Sequence, residues 1–239
     1  MARVAFPSRP HDNRLWAALS PPEAARLLPV LEPVTWVLRD VLYAPDEAPE
    51  FLYFPTTAMV SLIHTLTDGI TAEMGVVGRE GVVGVALFMG GGSTASEALV
   101  QIAGQGFRLP AVYVGDEFRR GGGFQQVLLR YAQALLTQIG QTAVCNMRHT
   151  ITQRMCRWLL LTLDRVPGDE VRMTQEFLAQ MLAVRRPSVT EVARRMQTAG
   201  LIRCGRGYII IVNRLGVEAR VCECYATVEK EFTRLLGEA

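Results

Sequence analysis

The chain has 239 residues, of which 49% are hydrophobic and 20% charged, with a formal net charge of +2 at pH 7. This length exceeds that of a usual single domain and allows a sizeable core, so we expect two domains. Five cysteines, an odd number, do not predict a disulfide framework. The initial segment MARVAFPSRPHDN lacks the apolar core of a signal peptide, and no run of about 18 apolar residues predicts a membrane span. We therefore expect a cytoplasmic protein with reduced thiols.

The first 120 residues predict a domain of short strands. A helical segment over residues 14–31, with a helix start at Ser20-Pro21-Pro22, precedes β-prone runs at 35–38, 51–54, 59–63 and 98–102. Glycine-containing turns at 68–69, 78–81 and 90–92 separate these runs. Many short strands joined by glycine turns are typical of a β-roll or jelly roll. We assign residues 1–120 to this domain.

A long helix is predicted next, over residues 121–146. Apolar and small polar residues recur there at alternating spacings of four and three, namely Phe124, Leu128, Tyr131, Leu135, Gln138 and Thr142. That spacing is a heptad seam, typical of helices that pair with one another. The alternative is a core helix lying on its own sheet. We favour a dimer interface, because a helix of this length between two domains has little of its own protomer to cover it.

Residues 174–202, TQEFLAQMLAVRRPSVTEVARRMQTAGLI, predict two short helices joined by a tight turn. Thr174 is a suitable N-cap for the first helix, and Pro187 suits the first turn of the second. This pattern is typical of a helix-turn-helix, whose second helix enters the DNA major groove. The polar residues at its leading end, which we assign to DNA contact, are Arg185, Arg186, Ser188, Thr190 and Glu191. The alternative is an ordinary helical hairpin with an exposed polar face.

A β-hairpin signal follows directly. Two β-rich runs, 201–204 and 208–212, flank Gly205-Arg206-Gly207, and a helix-turn-helix followed by a hairpin is a winged helix. Arg203 and Arg206 on this wing are expected near phosphate, and Asn213 can cap a final helical region reaching about residue 236. We assign residues 147–239 to the DNA-binding domain. Residues 146–239 contain 15 Lys and Arg against 10 Asp and Glu, whereas residues 1–145 contain 10 Lys and Arg against 13 Asp and Glu. Positive charge is thus concentrated where a DNA contact requires it.

The order of these parts resembles the Crp/Fnr family of bacterial transcription regulators. The most specific segments are TQEFLAQMLAVRRPSVTEVARRM at 174–196 and GREGVVGVALF at 78–88. The resemblance implies an α+β fold with an N-terminal cyclic-nucleotide-binding-like β-roll, a long dimerisation helix and a C-terminal winged helix-turn-helix. It also implies a homodimer that binds palindromic double-stranded DNA, with RNA polymerase as a further partner if it activates. The family's base-reading positions fall on Arg186, Pro187 and Glu191.

The effector pocket implied by the resemblance is degenerate. Family members that bind cyclic nucleotides use a Gly-Glu pair for the ribose and an arginine for the cyclic phosphate, whereas here Gly84 is followed by Val85. The segment around Ser93 and Thr94 contains no arginine, so an anionic phosphate would lack its charge-assisted hydrogen bonds. We expect an effector other than a cyclic nucleotide, or a constitutive DNA-binding dimer without an effector.

Other sensor and enzyme chemistries are less favoured by the sequence. Cys222 and Cys224, with Cys204, offer metal ligands, but they lack a CxxC spacing, so we expect them to be buried as small apolar side chains and assign no metal or cofactor. His64 reads as a strand residue rather than a haem ligand, and His149 near the domain junction is ambiguous. A metal-binding cupin-like enzyme needs two or three histidines in its barrel, and only His64 lies there. We therefore expect no catalytic residues.

Overall fold

A computed structural model of the protein describes residues 8–166 and 168–237. Residues 1–7, which include most of the N-terminal segment discussed above, residue 167 and residues 238–239 lie outside the described residues. The predicted α+β architecture is confirmed: antiparallel sheets come first, a long helix follows, and a helix-turn-helix with a wing lies at the C-terminal end. Within the described residues, no helix combines the length and apolar character that crossing a membrane requires.

The N-terminal part contains two helices followed by a β-roll. The predicted helical region 14–31 divides at Ser20, because Glu23 accepts a hydrogen bond from the Ser20 backbone N–H at 3.0 Å and closes a capping box there. The elements in chain order are α1 (Arg14–Ala17), α2 (Pro21–Leu27), β1 (Glu32–Trp36), β2 (Val41–Tyr43), β3 (Phe51–Pro55), β4 (Met59–Thr65), β5 (Thr71–Val77), α3 (Ala86–Met89), β6 (Glu97–Ile102), β7 (Gly104–Pro110) and α4 (Ala111–Arg120).

Two antiparallel sheets form the β-roll, with strand orders β1-β7-β3 and β2-β6-β4-β5. Buried side chains from both sheets, among them Phe54, Val60 and Leu109, join one hydrophobic core. Gly84 has a φ of +109°, and a Cβ there would lie 2.9 Å from the carbonyl oxygen of Phe51, so the chain passes β3 only because this residue is glycine.

The C-terminal part is largely helical. Its elements are α5 (Gly123–Arg148), α6 (Ile151–Arg165), β8 (Glu170–Val171), α7 (Gln175–Met181), α8 (Arg186–Thr198), β9 (Ile202–Gly205), β10 (Tyr208–Ile211), α9 (Arg214–Glu218) and α10 (Cys224–Leu236). Asn213 caps α9 as expected, because its side-chain oxygen accepts a hydrogen bond from the Gly216 N–H at 2.8 Å. The final helical region is interrupted between residues 218 and 224, and α10 then returns along α5.

The predicted dimer seam on α5 requires a correction. All six of its residues are buried inside the protomer: Phe124, Leu128, Tyr131, Leu135, Gln138 and Thr142. They face β5 and α10, with the Gln138 side-chain oxygen accepting from the Val76 N–H at 2.6 Å and the Tyr131 ring centroid 6.4 Å from that of Phe232. The prediction was wrong because α10, returning from the far end of the chain, supplies the cover that the sequence argument did not foresee.

Helix α6 forms the junction between the two parts of the molecule. Its Arg165 Nε lies 2.7 Å from the Glu80 carboxylate, and both side chains are buried. Burial lowers the pKa of Arg165, but the charges of Glu80 and Glu229 outweigh that effect and raise it overall. About two helical turns before Arg165, the Trp158 indole N–H donates to the carboxylate of Glu73 on β5 at 3.0 Å. The winged helix is therefore joined to the β-roll by buried polar contacts.

Candidate DNA-binding site

Helices α7 and α8 form the predicted helix-turn-helix. The Thr174 hydroxyl accepts a hydrogen bond from the Phe177 N–H at 3.1 Å, which satisfies a free donor at the start of α7. The turn contains Ala183 at a φ of +48°, followed by a 3.0 Å hydrogen bond from the Val184 N–H to the Ala179 carbonyl. The apolar back of α8 is buried as predicted, and the opposite face is left to solvent.

The exposed face of α8 is polar and mainly basic. Arg186, Thr190 and Arg194 follow one another at i, i+4 spacing, so their side chains lie along one side of the helix. Arg186 keeps 65% of its side-chain surface exposed, and its Nε lies 3.7 Å from the Glu176 carboxylate. An exposed ion pair of this kind contributes little to stability, so the Arg186 guanidinium can exchange this partner for another at low cost.

The remaining predicted contact residues lie at or near the same helix end. Arg185 is the exposed N-cap residue, and Ser188 is half-buried in the first turn. The Thr190 hydroxyl contacts the side-chain oxygen of Gln175 at 2.7 Å and the carbonyl of Arg186 at 3.1 Å. Glu191 lies 3.9 Å from the Arg195 guanidinium, one turn further along the helix.

The wing is a three-stranded sheet with the order β8-β10-β9. Its tip is the two-residue turn Arg206-Gly207, in which Gly207 adopts a φ of +83° that favours glycine. Arg203 and Arg206 are both exposed, and together with Arg172 they line a shallow depression of about 560 Å³. The wing therefore presents three arginines on one surface.

Two of these basic residues were not predicted from the sequence. Arg194 could have been predicted from the helical spacing, because it lies one helical turn beyond Thr190 on the same face of α8. Arg172 has none, because it precedes the helix-turn-helix and reaches the wing only through the pairing of β8 with β10.

The predicted effector residues do not form an open polar pocket around a common point. Gly84 is buried against β3, Val85 is half-buried, and Ser93 is exposed. The Thr94 hydroxyl lies 2.7 Å from that of Ser96, so these two polar groups satisfy each other. His64 is an exposed residue of β4, which agrees with its interpretation as a strand residue.

The structure confirms the burial expected for Cys222 and Cys224 but separates Cys204 from them. Cys204 lies half-buried on β9 of the wing, whereas Cys222 and Cys224 are buried at the start of α10 together with Cys145 from the end of α5. His149 joins this group, and the four residues bring their sulfur and nitrogen atoms within 4.8 Å of one another.

Comparison with known proteins agrees with this geometry. A family model of the Crp-like helix-turn-helix domain matches residues 153–220, and no match is found among curated proteins. Similar solved structures include a transcriptional regulator of the Crp/Fnr family from Eubacterium rectale, with 14% identity, a TM-score of 0.67 and coverage of 86% of this chain and 96% of that one. FixK2 from Bradyrhizobium japonicum has 18% identity, a TM-score of 0.68 and coverage of 81% and 98%. The c-di-GMP-responsive regulator CLP from Xanthomonas campestris has 17% identity, a TM-score of 0.63 and coverage of 80% and 99%.

Proposed function

We propose that this chain, which has the fold of Crp/Fnr regulators and carries a Crp-like helix-turn-helix domain, is a transcription regulator that binds an inverted-repeat operator as a homodimer. The observation that carries the proposal is the exposed basic face of α8 beside a wing with three arginines. A helix of this kind fits the major groove, and wing arginines are placed to neutralise phosphates. Because the proposed partner is DNA, we place the protein in the cytoplasm, with RNA polymerase as a further partner if the protein activates transcription.

Each contact residue has a proposed role. Arg186 is our choice for a bidentate contact to guanine, because its guanidinium is exposed at the leading end of α8. Arg185, Arg203 and Arg206 contact phosphates, and Ser188 and Thr190 serve either role. Glu191 is assigned to pairing with Arg195, 3.9 Å away, rather than to accepting from a cytosine, and this exposed pair is as weak as that of Arg186 with Glu176.

The homodimer interface is proposed on the exposed side of α5. A second heptad seam lies there, opposite the buried one, and consists of Leu129, Gln133, Leu136, Gly140, Ala143 and Met147. Leu129, Leu136 and Met147 expose 50%, 60% and 79% of their surface, which is unusual for large apolar side chains on one helix face. A second copy of α5 is the occupant that matches this spacing, and Gly140 and Ala143 allow the two backbones to approach closely.

The effector is proposed to be something other than a cyclic nucleotide. Val85 offers no carboxylate to a ribose, and the Thr94 hydroxyl is already bonded to Ser96. A constitutive DNA-binding dimer without an effector is the alternative, and a catalytic role is not proposed.

Selection of binding sites from random DNA by the purified protein tests the proposal. We expect an inverted repeat whose half-sites are about one helical turn, ~34 Å, apart. Adding cyclic AMP or cyclic GMP during selection is expected to leave affinity unchanged. Enrichment of no sequence, or of a site without twofold symmetry, would contradict the homodimeric operator.

A further inference from the structure

The group formed by Cys145, His149, Cys222 and Cys224 has the dimensions of a metal site. The Cys145 and Cys222 sulfurs lie 3.6 Å apart, and the Cys224 sulfur lies 3.6 Å from Nδ1 of His149. All four ligand atoms lie within 4.8 Å of one another, although 77 residues separate Cys145 from Cys222 in the sequence. The fold therefore gathers three thiols and one imidazole at one point.

The two 3.6 Å separations are close to the edges of a tetrahedron around zinc, and the 4.8 Å limit for the whole group exceeds such an edge by about 1 Å. With Zn–S bonds of ~2.3 Å and Zn–N bonds of ~2.0–2.1 Å, a tetrahedral site has S···S edges of about 3.8 Å and S···N edges of about 3.5 Å. Four protein ligands leave no open position, which is the mark of a structural rather than a catalytic site. Thiolate and imidazole in this geometry select zinc over the hard cations that prefer oxygen. We propose that Cys145, His149, Cys222 and Cys224 bind one Zn²⁺ per protomer.

The surroundings of His149 support this assignment. Its Nε2 lies 3.3 Å from the Glu223 carboxylate, while Nδ1 faces Cys224. Metal-bound histidines commonly donate their second N–H to a carboxylate, which fixes the ring and its tautomer. The residue between the two cysteines thus orients the fourth ligand, and the short C-x-C spacing places Glu223 where it can do so.

The charge of the loaded site also has a partner. Three thiolates and one Zn²⁺ carry a net charge of −1, which a buried position tolerates only beside a cation. Arg157 is a buried cation of α6 that contacts the end of α5 carrying Cys145. Its Nη2 donates to the Thr142 hydroxyl at 3.1 Å, one turn before Cys145, but its Nε and Nη1 have no hydrogen-bond partner among the described residues. An anionic metal–thiolate centre supplies negative charge to this guanidinium in addition to that of the Glu73 carboxylate.

The position of the site indicates what the metal does. Cys145 and His149 lie at the end of α5, just before the break that leads into α6, whereas Cys224 is the first residue of α10 and Cys222 lies two residues before it. Zinc at this point fixes the start of α10 to the end of α5 and holds the hinge between the proposed dimer helix and the winged helix. The sequence interpretation favoured simple burial of Cys222 and Cys224, because they lack a CxxC spacing, and it did not consider Cys145 and His149, which are distant in the sequence, as their partners.

Metal analysis of the purified full chain, expressed in zinc-supplemented medium, tests the site. We expect about one zinc per protomer in the wild type, loss of at least about 80% of it in Cys222→Ser, and unchanged content in the control Cys204→Ser. Cys156→Ser, a second control, replaces a cysteine that is fully buried on α6 outside the group, and it separates metal loss from the cost of burying a hydroxyl. Full zinc content in Cys222→Ser would overturn the proposal.

A measurement on the wild type keeps the proposal testable if Cys222→Ser fails to fold. Co²⁺ exchanged into the wild-type protein is expected to give the visible bands of a tetrahedral ion and a thiolate-to-metal charge-transfer band. Three results for the wild type would overturn the assignment. The protein could contain no zinc and give no spectrum of tetrahedral Co²⁺, it could contain iron instead, or it could form a Cys145–Cys222 disulfide. None of these measurements uses DNA, so their failure is distinguishable from failure of the proposed DNA binding.

Discussion

Arg186 and Arg206 carry the same charge in different settings. Arg186 begins α8, whose axis is directed at the proposed base edges, and among the described residues its ion-pair partner is exposed Glu176 at 3.7 Å. Arg206 is at the tip of the wing, in a two-residue turn that follows the edge strand β9. A side chain at a helix end entering a groove can distinguish bases, whereas one at a wing tip reaches only the backbone.

Arg186→Ala is therefore expected to relax sequence preference at one position of each half-site, at a cost of roughly 1–3 kcal/mol in discrimination. Arg206→Ala is expected to weaken binding to all sequences alike and to reduce the salt slope by about one unit per contact. Binding assays with the selected site and single-base variants, repeated at several salt concentrations, measure both effects. An Arg186→Ala protein with an intact sequence preference would show that α8 is not the reading helix.

Sequence patterns predicted the proposed DNA-contact residues but not the proposed metal ligands. Arg185, Arg186, Ser188 and Thr190 were predicted because a helix-turn-helix is a local motif, with cap, turn and apolar spacing inside about 30 residues. Cys145 and His149 were not joined to Cys222 and Cys224, because only the return of α10 along α5 brings them together. When a site is assembled by tertiary contacts between distant segments, its residues have no characteristic spacing in the sequence from which the site could be predicted.

At the scale of the element, α5 shows how one helix can carry two seams. Both the buried and the exposed seam follow alternating steps of four and three, so periodicity alone does not say which one meets another molecule. The buried seam contains the larger side chains, such as Phe124 and Tyr131, whereas the sequence argument rested on spacing alone, which both seams satisfy. The larger apolar side chains of α5 lie in the protomer's own core, whereas the exposed seam proposed as the dimer interface includes the small residues Gly140 and Ala143.

Leu136→Glu is expected to dissociate the dimer while leaving the protomer folded, because Leu136 is 60% exposed in the protomer. Two-fold symmetry would bury the new carboxylate twice, at several kcal/mol each, and raise the dissociation constant by at least about 100-fold. Sedimentation at micromolar concentration measures the association state, and circular dichroism reports whether the protomer is folded.

Two matched substitutions complete that experiment. Leu135→Glu places the same charge one residue earlier, at a side chain only 4% exposed, and is expected to unfold the protomer. Leu28→Glu changes a leucine that is 55% exposed outside α5 and is expected to leave both fold and dimer intact. A full dimer of Leu136→Glu would remove the exposed seam as the interface.

At the scale of the whole molecule, the β-roll and the winged helix are joined through α6 by buried charged groups. The architecture was predictable from the order of local patterns, but this junction was not, since Glu73, Glu80, Trp158 and Arg165 come from segments about 85 residues apart. Glu73 is buried, and its carboxylate accepts from the Ser61 hydroxyl at 2.6 Å and the Trp158 indole at 3.0 Å. Burial raises its pKa from 4.5 to about 7, although Ser61, Arg157 and Trp158 act in the opposite direction.

Stability should therefore depend on pH through Glu73. Because the folded state retains a proton that the unfolded state releases, the stabilisation is fully present below pH 4.5 and is lost as pH rises through about 7. At ~1.4 kcal/mol per pH unit, the interval between those two values corresponds to about 3 kcal/mol. Glu73→Gln carries no titrating proton and removes this component, so the difference in unfolding free energy between variant and wild type should shift by that amount between pH 4.5 and 8. Urea unfolding across this range measures it, with Glu47→Gln, an exposed carboxylate of the same domain, as the control. A constant difference between Glu73→Gln and wild type at all pH values would mean that Glu73 is ionised throughout and that the arginines of α6, rather than a proton, neutralise it.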